Sequence, residues 1–399
     1  MSPHIFLVAG EESGDRLGAA LVAAIRQRTN GRAQFSCVGG AHMAAAGVPS
    51  LFPLGDLAII GFGAIPASLP KILRRIGETA DAVISAKPDA LIIIDSPDFT
   101  HRVAKRVRAR SSTIPIIDYV CPSVWAWRSG RARAMRTYVD HVLALLPFEP
   151  TVMKKLGGPP CTYVGHPLTE RLDDLRPKDL EQRLRLADPP LVLVLPGSRT
   201  GEIHRMAPVF GTAMARVVEQ FGPIEIVVPA VASLASTVRD AVSAWRVPAR
   251  VITDHNDKHE AFRTARAALT KSGTSTLELA LAGVPMVAAY RVLLVEAIAA
   301  RFILKIPSVI LANLVLGENV VPEFLQWHCT PKRLAAALLP LLTDTPERRR
   351  QTESFRRLDG IMEVGKASPS DRSAALVLDI VGQKSRLSGE PAALGPATV

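Results

Sequence analysis

Asp95 and Asp98 follow an unbroken apolar run, Ala90-Leu-Ile-Ile-Ile94. A carboxylate at the end of a buried strand is where a substrate hydroxyl can reach it, and it can take that hydroxyl's proton. Asp98 has a structural alternative: it precedes Phe99-Thr-His-Arg and is well placed to cap a helix. Asp95, directly at the strand end, has no such alternative. A second group is Leu191-Val-Leu-Val-Leu-Pro-Gly-Ser-Arg199-Thr-Gly-Glu202. A strand that feeds a glycine loop and then a helix leaves free N–H groups at the helix start. With the helix dipole they favour an anion there, commonly a phosphate. Arg199 adds a guanidinium fork that fits phosphate oxygens; a plain βα turn with a surface arginine is the alternative. In the third group, Lys271-Ser-Gly-Thr-Ser-Thr-Leu-Glu278, the Ser272, Gly273 and Thr274 stretch suits a diphosphate and Glu278 a ribose diol. Ser275 with Glu278 also fits a capping box. Trp125 and Trp127 stand beside Arg128, Arg131 and Arg133, a pattern for stacking on a sugar or binding an anionic acceptor, or for one core tryptophan and solvated arginines. Gly165-His166-Pro167 reads as a hinge or a ligand contact.

Other chemistries fit less well. No Walker A lysine follows either glycine loop, which argues against a P-loop nucleotidase. The first loop is Gly10-xxx-Gly14 and not GxGxxG, which weakens a dinucleotide reading. No DxD motif occurs, so a metal-bound nucleotide-sugar site of that type has no support and no metal or other cofactor is expected. Asp254-His-Asn-Asp-Lys-His259 has metal-like residues but holds Lys258, and it reads as a solvated loop. Cys37, Cys121, Cys161 and Cys329 form no CxxC pair, which points to a reducing compartment. The net charge of +11 suits phosphorylated substrates or an anionic membrane face. No nucleic-acid signature accompanies it, and 5% aromatic residues are too few for a base-stacking platform. No signal peptide or membrane-spanning run is expected, since His4-Ile-Phe-Leu-Val8 begins a strand almost at once.

Strands and helices alternate through both halves. Strands are predicted at His4–Val8, Phe35–Val38, Ala90–Ile94, Ile114–Tyr119, His141–Leu145 and Cys161–Val164, then at 191–195, 224–228, 249–252, 267–270 and 285–289. Repeated βα units imply parallel sheets covered on both faces, with ligands beyond the carboxyl ends of the strands. The motifs above all lie at those ends. The openings of the halves resemble each other, Val8-Ala-Gly-Glu-Glu-Ser-Gly-Asp15 and Leu195-Pro-Gly-Ser-Arg-Thr-Gly-Glu202. The expected architecture is therefore α/β, two Rossmann-like domains facing across a cleft. The first spans 1–168 and the second 187–344, with a charged, proline-bearing linker between. Helices at 345–383 return to the first domain, and 384–399 form a flexible tail. Ile65, Leu69, Ile72, Leu73 and Ile76 fall at helical spacing among Lys71, Arg74 and Arg75, behind Gly61-Phe62-Gly63. Such a helix lies in a membrane interface or packs its apolar face on the core.

Several of these runs together resemble the lipid-A-disaccharide synthase family. They are Ala9-Gly-Glu-Glu-Ser-Gly-Asp15, Ile94-Asp-Ser-Pro-Asp-Phe99, Pro122-Ser-Val-Trp-Ala-Trp127, Leu146-Pro-Phe-Glu149, Gly165-His-Pro167, Leu195-Pro-Gly-Ser-Arg199, Ser272-Gly-Thr274 with Leu277-Glu278, and Asn313 before Val321-Pro-Glu323. They match in order from residue 9 to about 325. Gly39-Gly-Ala-His-Met43 departs from the family's GGPxM-like form, so His42 is given no role. The resemblance implies a GT-B glycosyltransferase that joins UDP-2,3-diacylglucosamine to 2,3-diacylglucosamine 1-phosphate with inversion, giving the β-1,6-linked disaccharide 1-phosphate and UDP. It implies Asp95 as base, with Arg199 and the Ser272–Thr274 helix start neutralising the diphosphate. Ser198, Glu278 and Asn313 fall on the donor side; Glu11, Ser13, Asp98 and Trp127 fall on the acceptor side. It also implies a peripheral position on the cytosolic face of the Gram-negative inner membrane, docked through Phe62, Ile65, Leu69, Ile72 and Leu73. Members of the family can form exchanged dimers, so a homodimer is among the implied partners. The rival reading is a GT-B enzyme like UDP-GlcNAc 2-epimerase, acting on a soluble sugar nucleotide.

Overall fold

A computed structural model describes residues 2–57, 65–292 and 307–388, with side chains described outside 65–68 and 384–388. The chain divides into two compact units, Met1–Pro167 with Gly365–Val399, and Leu168–Val364. In the first unit the elements run β1 (His4–Ala9), α1 (Glu12–Arg28), β2 (Gln34–Val38), α2 (Ala41–Ala45), α3 (Ile65–Ala86), β3 (Ala90–Ile94), α4 (Pro97–Arg110), β4 (Ile116–Tyr119), α5 (Gly130–Met135), β5 (His141–Ala144), α6 (Glu149–Lys155) and β6 (Cys161–Tyr163). The strands form one parallel sheet in the order β2-β1-β3-β4-β5-β6.

Alternate side chains of each strand point to opposite faces, and the sequence fills both. Phe6, Val8, Leu91 and Ile93 pack with Ile76 of α3 and Val103 of α4. Ile5, Leu7, Ile92 and Ile94 pack with Leu21 and Ile25 of α1.

The second unit begins with α7 (Leu172–Leu175) and α8 (Asp179–Arg185), then β7 (Leu191–Leu195), α9 (Thr200–Phe221), β8 (Glu225–Pro229), α10 (Ala235–Ser243), β9 (Arg250–Ile252), α11 (His255–Thr264), β10 (Ala267–Lys271), α12 (Ser275–Leu281), β11 (Met286–Tyr290), α13 (Leu311–Leu316), β12 (Glu323–Leu325), α14 (Pro331–Leu338), α15 (Pro346–Arg356) and α16 (Leu358–Ile361). Its parallel sheet has the order β12-β11-β10-β7-β8-β9. Strand β12 was not expected; it is only three residues long and follows a proline.

The stretch read as a linker is built into the second unit. Buried Arg185 donates to the carbonyls of Phe262, Arg263, Ala282 and Gly283. Arg176 pairs with Asp359 and donates to the Leu281 carbonyl. The C-terminal helices divide between the units. Buried Gln351 of α15 hydrogen-bonds both backbone groups of Met286 at 2.8 and 3.1 Å, which holds α15 to the second sheet. The last helix, α17 (Pro369–Ser388), belongs to the first unit and continues past Gln383. It packs Ala374, Val377 and Val381 into the α1 face of the first core. Arg28 grips Asp371 with two hydrogen bonds of 2.6 and 2.7 Å. Gly165 permits the approach: its φ is +101°, and a Cβ there would lie 2.8 Å from the Pro369 ring. The remainder of the expected tail lies outside the described residues.

Candidate active site

In each sheet the strand order reverses at one place, and there the loops diverge and open a crevice. In the first unit this is between β1 and β3. Glu11 lies in the loop after β1 and Ser13 in the first turn of α1; Asp95 lies in the turn after β3 and Asp98 in the first turn of α4. Ser13 Oγ donates to Asp95 Oδ2 at 2.9 Å, across the crevice. Asp95 and Ser96 both adopt left-handed backbone, with φ of 53° and 45°, a conformation that costs a non-glycine residue energy. The turn is held by Asp95 N–H on the Tyr119 carbonyl at 3.2 Å and Thr100 Oγ1 on the Asp95 carbonyl at 2.7 Å. Ser96 N–H donates to Asp95 Oδ1 at 2.8 Å. One carboxylate oxygen is thus fixed by backbone and the other by Ser13, in a partly buried position. A Cβ on Gly10 would lie 2.5 Å from Ser96 Cβ, so the two loops touch only because residue 10 is glycine.

Asp15 ends the same motif but is buried. Its carboxylate accepts from the N–H groups of Gly40, His42 and Met43 at 2.7, 2.8 and 3.1 Å and so caps α2. Asp98 is exposed in the first turn of α4, 3.7 Å from Arg131, and makes no cap; Ser96 stands at the N-cap position.

Below Asp95 is a cavity of about 100 Å³, lined also by Pro97, His101, Asp118, Cys121 and Ser123. Sequence reasoning missed the pair on its floor. His101 Nδ1 is 3.0 Å from the Tyr138 hydroxyl, and its Nε2 is 3.2 Å from Asp118 Oδ2. That contact is off the axis of a hydrogen bond, and Asp118 Oδ2 has no hydrogen-bond partner. Burial raises the Asp118 carboxyl above its usual range, against the pull of His101. A charged residue inside the apolar run Ile116-Ile-Asp-Tyr119 was the visible signal.

The two tryptophans differ. Trp125 Nε1 donates to buried Glu149 at 3.2 Å, and its ring meets Phe148 edge to face. Burial pushes Glu149 up to about 7, although Trp125 and the Leu146 N–H both donate to it. Trp127 is 41% exposed, with the Arg128 guanidinium 4.4 Å over its ring.

In the second unit the order reverses between β7 and β10. Across this crevice Lys271 Nζ is 3.0 Å from Glu202 Oε1. The other Glu202 oxygen accepts from the Ser198 N–H at 3.1 Å. The glycine loop's free N–H thus already faces a carboxylate of the protein, which tempers the expectation of a bare phosphate cradle. Arg199 is 78% exposed and only 3.8 Å from Glu202, so its fork is available. Ser272 Oγ donates to the Val309 carbonyl at 2.9 Å, leaving its backbone loop beside exposed Thr274. Thr274 occupies the N-cap position of α12, so the Ser275–Glu278 capping box is not formed. Glu278 pairs with Lys258 at 2.8 Å.

Two expectations are corrected. Asn313 is buried, and both ends of its amide are used: it donates to the Val321 carbonyl at 3.0 Å and accepts from the Val320 and Val321 N–H groups at 3.1 and 2.9 Å. It pins the loop before β12 and has no amide group left for a ligand. Asp254–His259 is not a loop; Asp254 caps α11 through Asn256 and Asp257 N–H, and Arg171 reaches both His255 and His259 at 2.9 Å. Among the described residues no group of three His, Cys, Asp or Glu is placed to hold a metal ion.

Of the apolar positions around α3, Leu69 and Leu73 are 44% and 39% exposed, whereas Ile72 is partly buried against the core and is less open to a membrane than expected. Phe62 and the side chain of Ile65 lie outside the described residues. Lys71 pairs with Asp56 at 2.6 Å, and Arg75 binds Asp56 too.

Two parallel Rossmann-like sheets, each with polar loops at its point of reversal, give the chain the GT-B fold. The solved structures agree at the level of the fold. UDP-GlcNAc 2-epimerase from Neisseria meningitidis has TM-score 0.59 and 11% identity, covering 95% of this chain and 100% of that one. The calicheamicin glycosyltransferase CalG4 has TM-score 0.60 and 16% identity, covering 96% and 99%. A sequence profile of lipid-A-disaccharide synthetase matches residues 5–376. Lipid-A-disaccharide synthase of Nitrobacter hamburgensis is 58% identical over 95% of this chain and 96% of that protein. That of Bradyrhizobium diazoefficiens is 57% identical over 94% and 95%. The chain belongs to the lipid-A-disaccharide synthase family of glycosyltransferases. The epimerase alternative is set aside, since the likeness to epimerases is one of fold.

Proposed function

We propose that the chain transfers the diacylglucosamine of UDP-2,3-diacylglucosamine to the 6-hydroxyl of 2,3-diacylglucosamine 1-phosphate. Asp95 takes the hydroxyl proton as that oxygen attacks the anomeric carbon from the face opposite UDP. The bond from the anomeric carbon to the diphosphate breaks, and its electron pair leaves with UDP. A single in-line attack on an α-linked donor gives the β-linked product. Ser13 holds Asp95 in place, and Glu11, Asp98 and Trp127 stand on the acceptor side.

Arg199 and the N–H groups of Gly273 and Thr274 stabilise the charge developing on the diphosphate, where a preorganised donor is worth most; Ser272 fixes that loop, its own N–H donating to the Ala289 carbonyl at 3.0 Å. Ser198 belongs to the same donor side through its loop. Glu278, fixed by Lys258, accepts from the ribose hydroxyls. No described helix is long and apolar enough to cross a membrane, and we assign the chain a peripheral place on the cytosolic membrane face, with Leu69 and Leu73 in the interface.

The observation that carries this reading is Asp95 itself: a partly buried carboxylate, held in a left-handed turn at the crevice by Ser13 at 2.9 Å. The test is UDP release by the purified chain with both acylated substrates. UDP release that requires both supports the reading. Turnover of UDP-GlcNAc alone, with the acylated donor inert, overturns it.

A further inference from the structure

The second unit has a polar cavity that the donor reading leaves unused. It measures about 440 Å³ and is lined by Arg205, Arg291, Val292, Gln326 and Trp327. Arg291 directly follows β11 and Gln326 directly follows β12. Tyr290 pairs with Leu325, so the parallel register brings Arg291 and Gln326 out side by side at the carboxyl end of the sheet. Arg205 enters from the second turn of α9. This is the end of the sheet at which ligands bind.

The charges in this cavity are unbalanced. Among the described residues no carboxylate lines it. Arg205 Nε is buried without a hydrogen-bond partner. Arg291 spends one N–H on the Cys329 carbonyl. Two guanidinium groups facing one cavity repel each other, and a buried donor without a partner is costly. An anion with several acceptor oxygens relieves both, and the guanidinium fork suits phosphate best. Trp327 stands at the mouth, 66% exposed. A large indole left in water beside two cations marks a boundary between polar and apolar surroundings.

We propose that Arg205, Arg291 and Trp327 form a binding site for a phosphate group carried by a lipid. The phosphate sits between the two guanidinium groups, and the apolar part of the molecule lies against the indole. The acyl-chain component rests on the reading that the substrates are acylated. Two sources share this chemistry, the 1-phosphate of the acylated acceptor and the headgroup of an anionic phospholipid, and the experiment separates them.

The full chain and its Arg205→Gln/Arg291→Gln variant are compared in two arms. One measures sedimentation with vesicles of phosphatidylcholine, with and without phosphatidylglycerol. The other measures KM for the acceptor, KM for the donor and UDP affinity in detergent micelles. A cation near a lipid surface is worth enough that losing two costs about 30-fold in binding. The expected result is a loss of that size in one arm, with UDP affinity and donor KM unchanged. A loss confined to phosphatidylglycerol vesicles identifies the bilayer, and a loss confined to acceptor KM identifies the substrate. Trp327→Ala, at an exposed position the fold tolerates, lowers the same quantity about 10-fold. Arg205→Lys/Arg291→Lys keeps the charge but loses the fork, so its loss of binding is intermediate between the wild type and the Gln variant. The proposal is overturned if both arms are unchanged in the Gln variant, if UDP affinity falls with them, or if the Lys variant is as defective as the Gln variant. Absence of UDP release by the unaltered chain would count against the proposed reaction, while the vesicle arm would still decide this site.

Discussion

Gly10→Ala turns one close contact into a measurable loss of turnover. The new Cβ would lie 2.5 Å from both Cβ and Oγ of Ser96. Non-bonded carbons rest at about 3.5–4.0 Å, so relief needs a shift of roughly 1 Å. Rotating Ser96 does not help, because its Cβ is fixed to the backbone. The turn that carries Asp95 must move, and a displacement of that size costs about 10²-fold in rate. Forcing a methyl group into this contact also lowers stability by about 1–3 kcal/mol. UDP is held by the second unit in this account, so its affinity stays unchanged. The measurements are kcat with both acylated substrates, UDP binding by calorimetry, and urea unfolding. Gly55→Ala is the control, since nothing lies within 4 Å of a Cβ there. Adding Ser96→Gly to Gly10→Ala removes the opposing Cβ and suits the φ of 45° at that position, so it restores most of the turnover. Wild-type kcat in Gly10→Ala would refute the reasoning, as would a parallel fall in UDP affinity.

Arg199→Ala alters stability by less than about 0.5 kcal/mol, because the side chain is 78% exposed, yet lowers kcat by about 10²–10³-fold; an equal loss in both would make Arg199 structural. Burial holds the Glu149 value near 7 in the folded protein, above the ordinary 4.5. The folded state therefore binds the extra proton between those values, and stability falls as pH rises through them, by about 3 kcal/mol. Glu149→Gln does not titrate, so its stability relative to the wild type rises by that amount between about pH 5 and pH 8; urea unfolding at both values checks it, and a constant difference contradicts it. Leu69→Ser with Leu73→Ser lowers vesicle association by about 10-fold or more without changing the unfolding midpoint, because both side chains are largely outside the core. Unchanged association would leave α3 as an ordinary surface helix.

The sheets were legible because a strand buried on both faces must be an apolar run, and Ala90–Ile94 and Leu191–Leu195 have little else to be. The loops at the two reversals were legible because glycine and polar residues stand directly after those runs. Where reading failed, the deciding partner was distant in sequence. The charged residues of 168–186 look like a linker until Arg185 meets carbonyls about 80 to 100 positions away. Asn313 looks available until the loop at Val320 and Val321 closes on it. His101 acquires meaning only beside Asp118 and Tyr138, which come from other elements. Ile72 and Leu73 are adjacent and equally apolar, and packing alone separates the partly buried one from the exposed one.

Asp95→Asn is the most direct test of the proposed chemistry. The amide is close in size; its oxygen still accepts from the Ser96 N–H and its NH2 group donates to Ser13 Oγ, but it cannot take a proton. The measurement is UDP release with both acylated substrates, beside UDP binding to the same preparation. Turnover is expected to fall by about 10²–10⁴-fold with UDP affinity unchanged. Turnover within about threefold of the wild type, less than the loss of a general base produces, would contradict it.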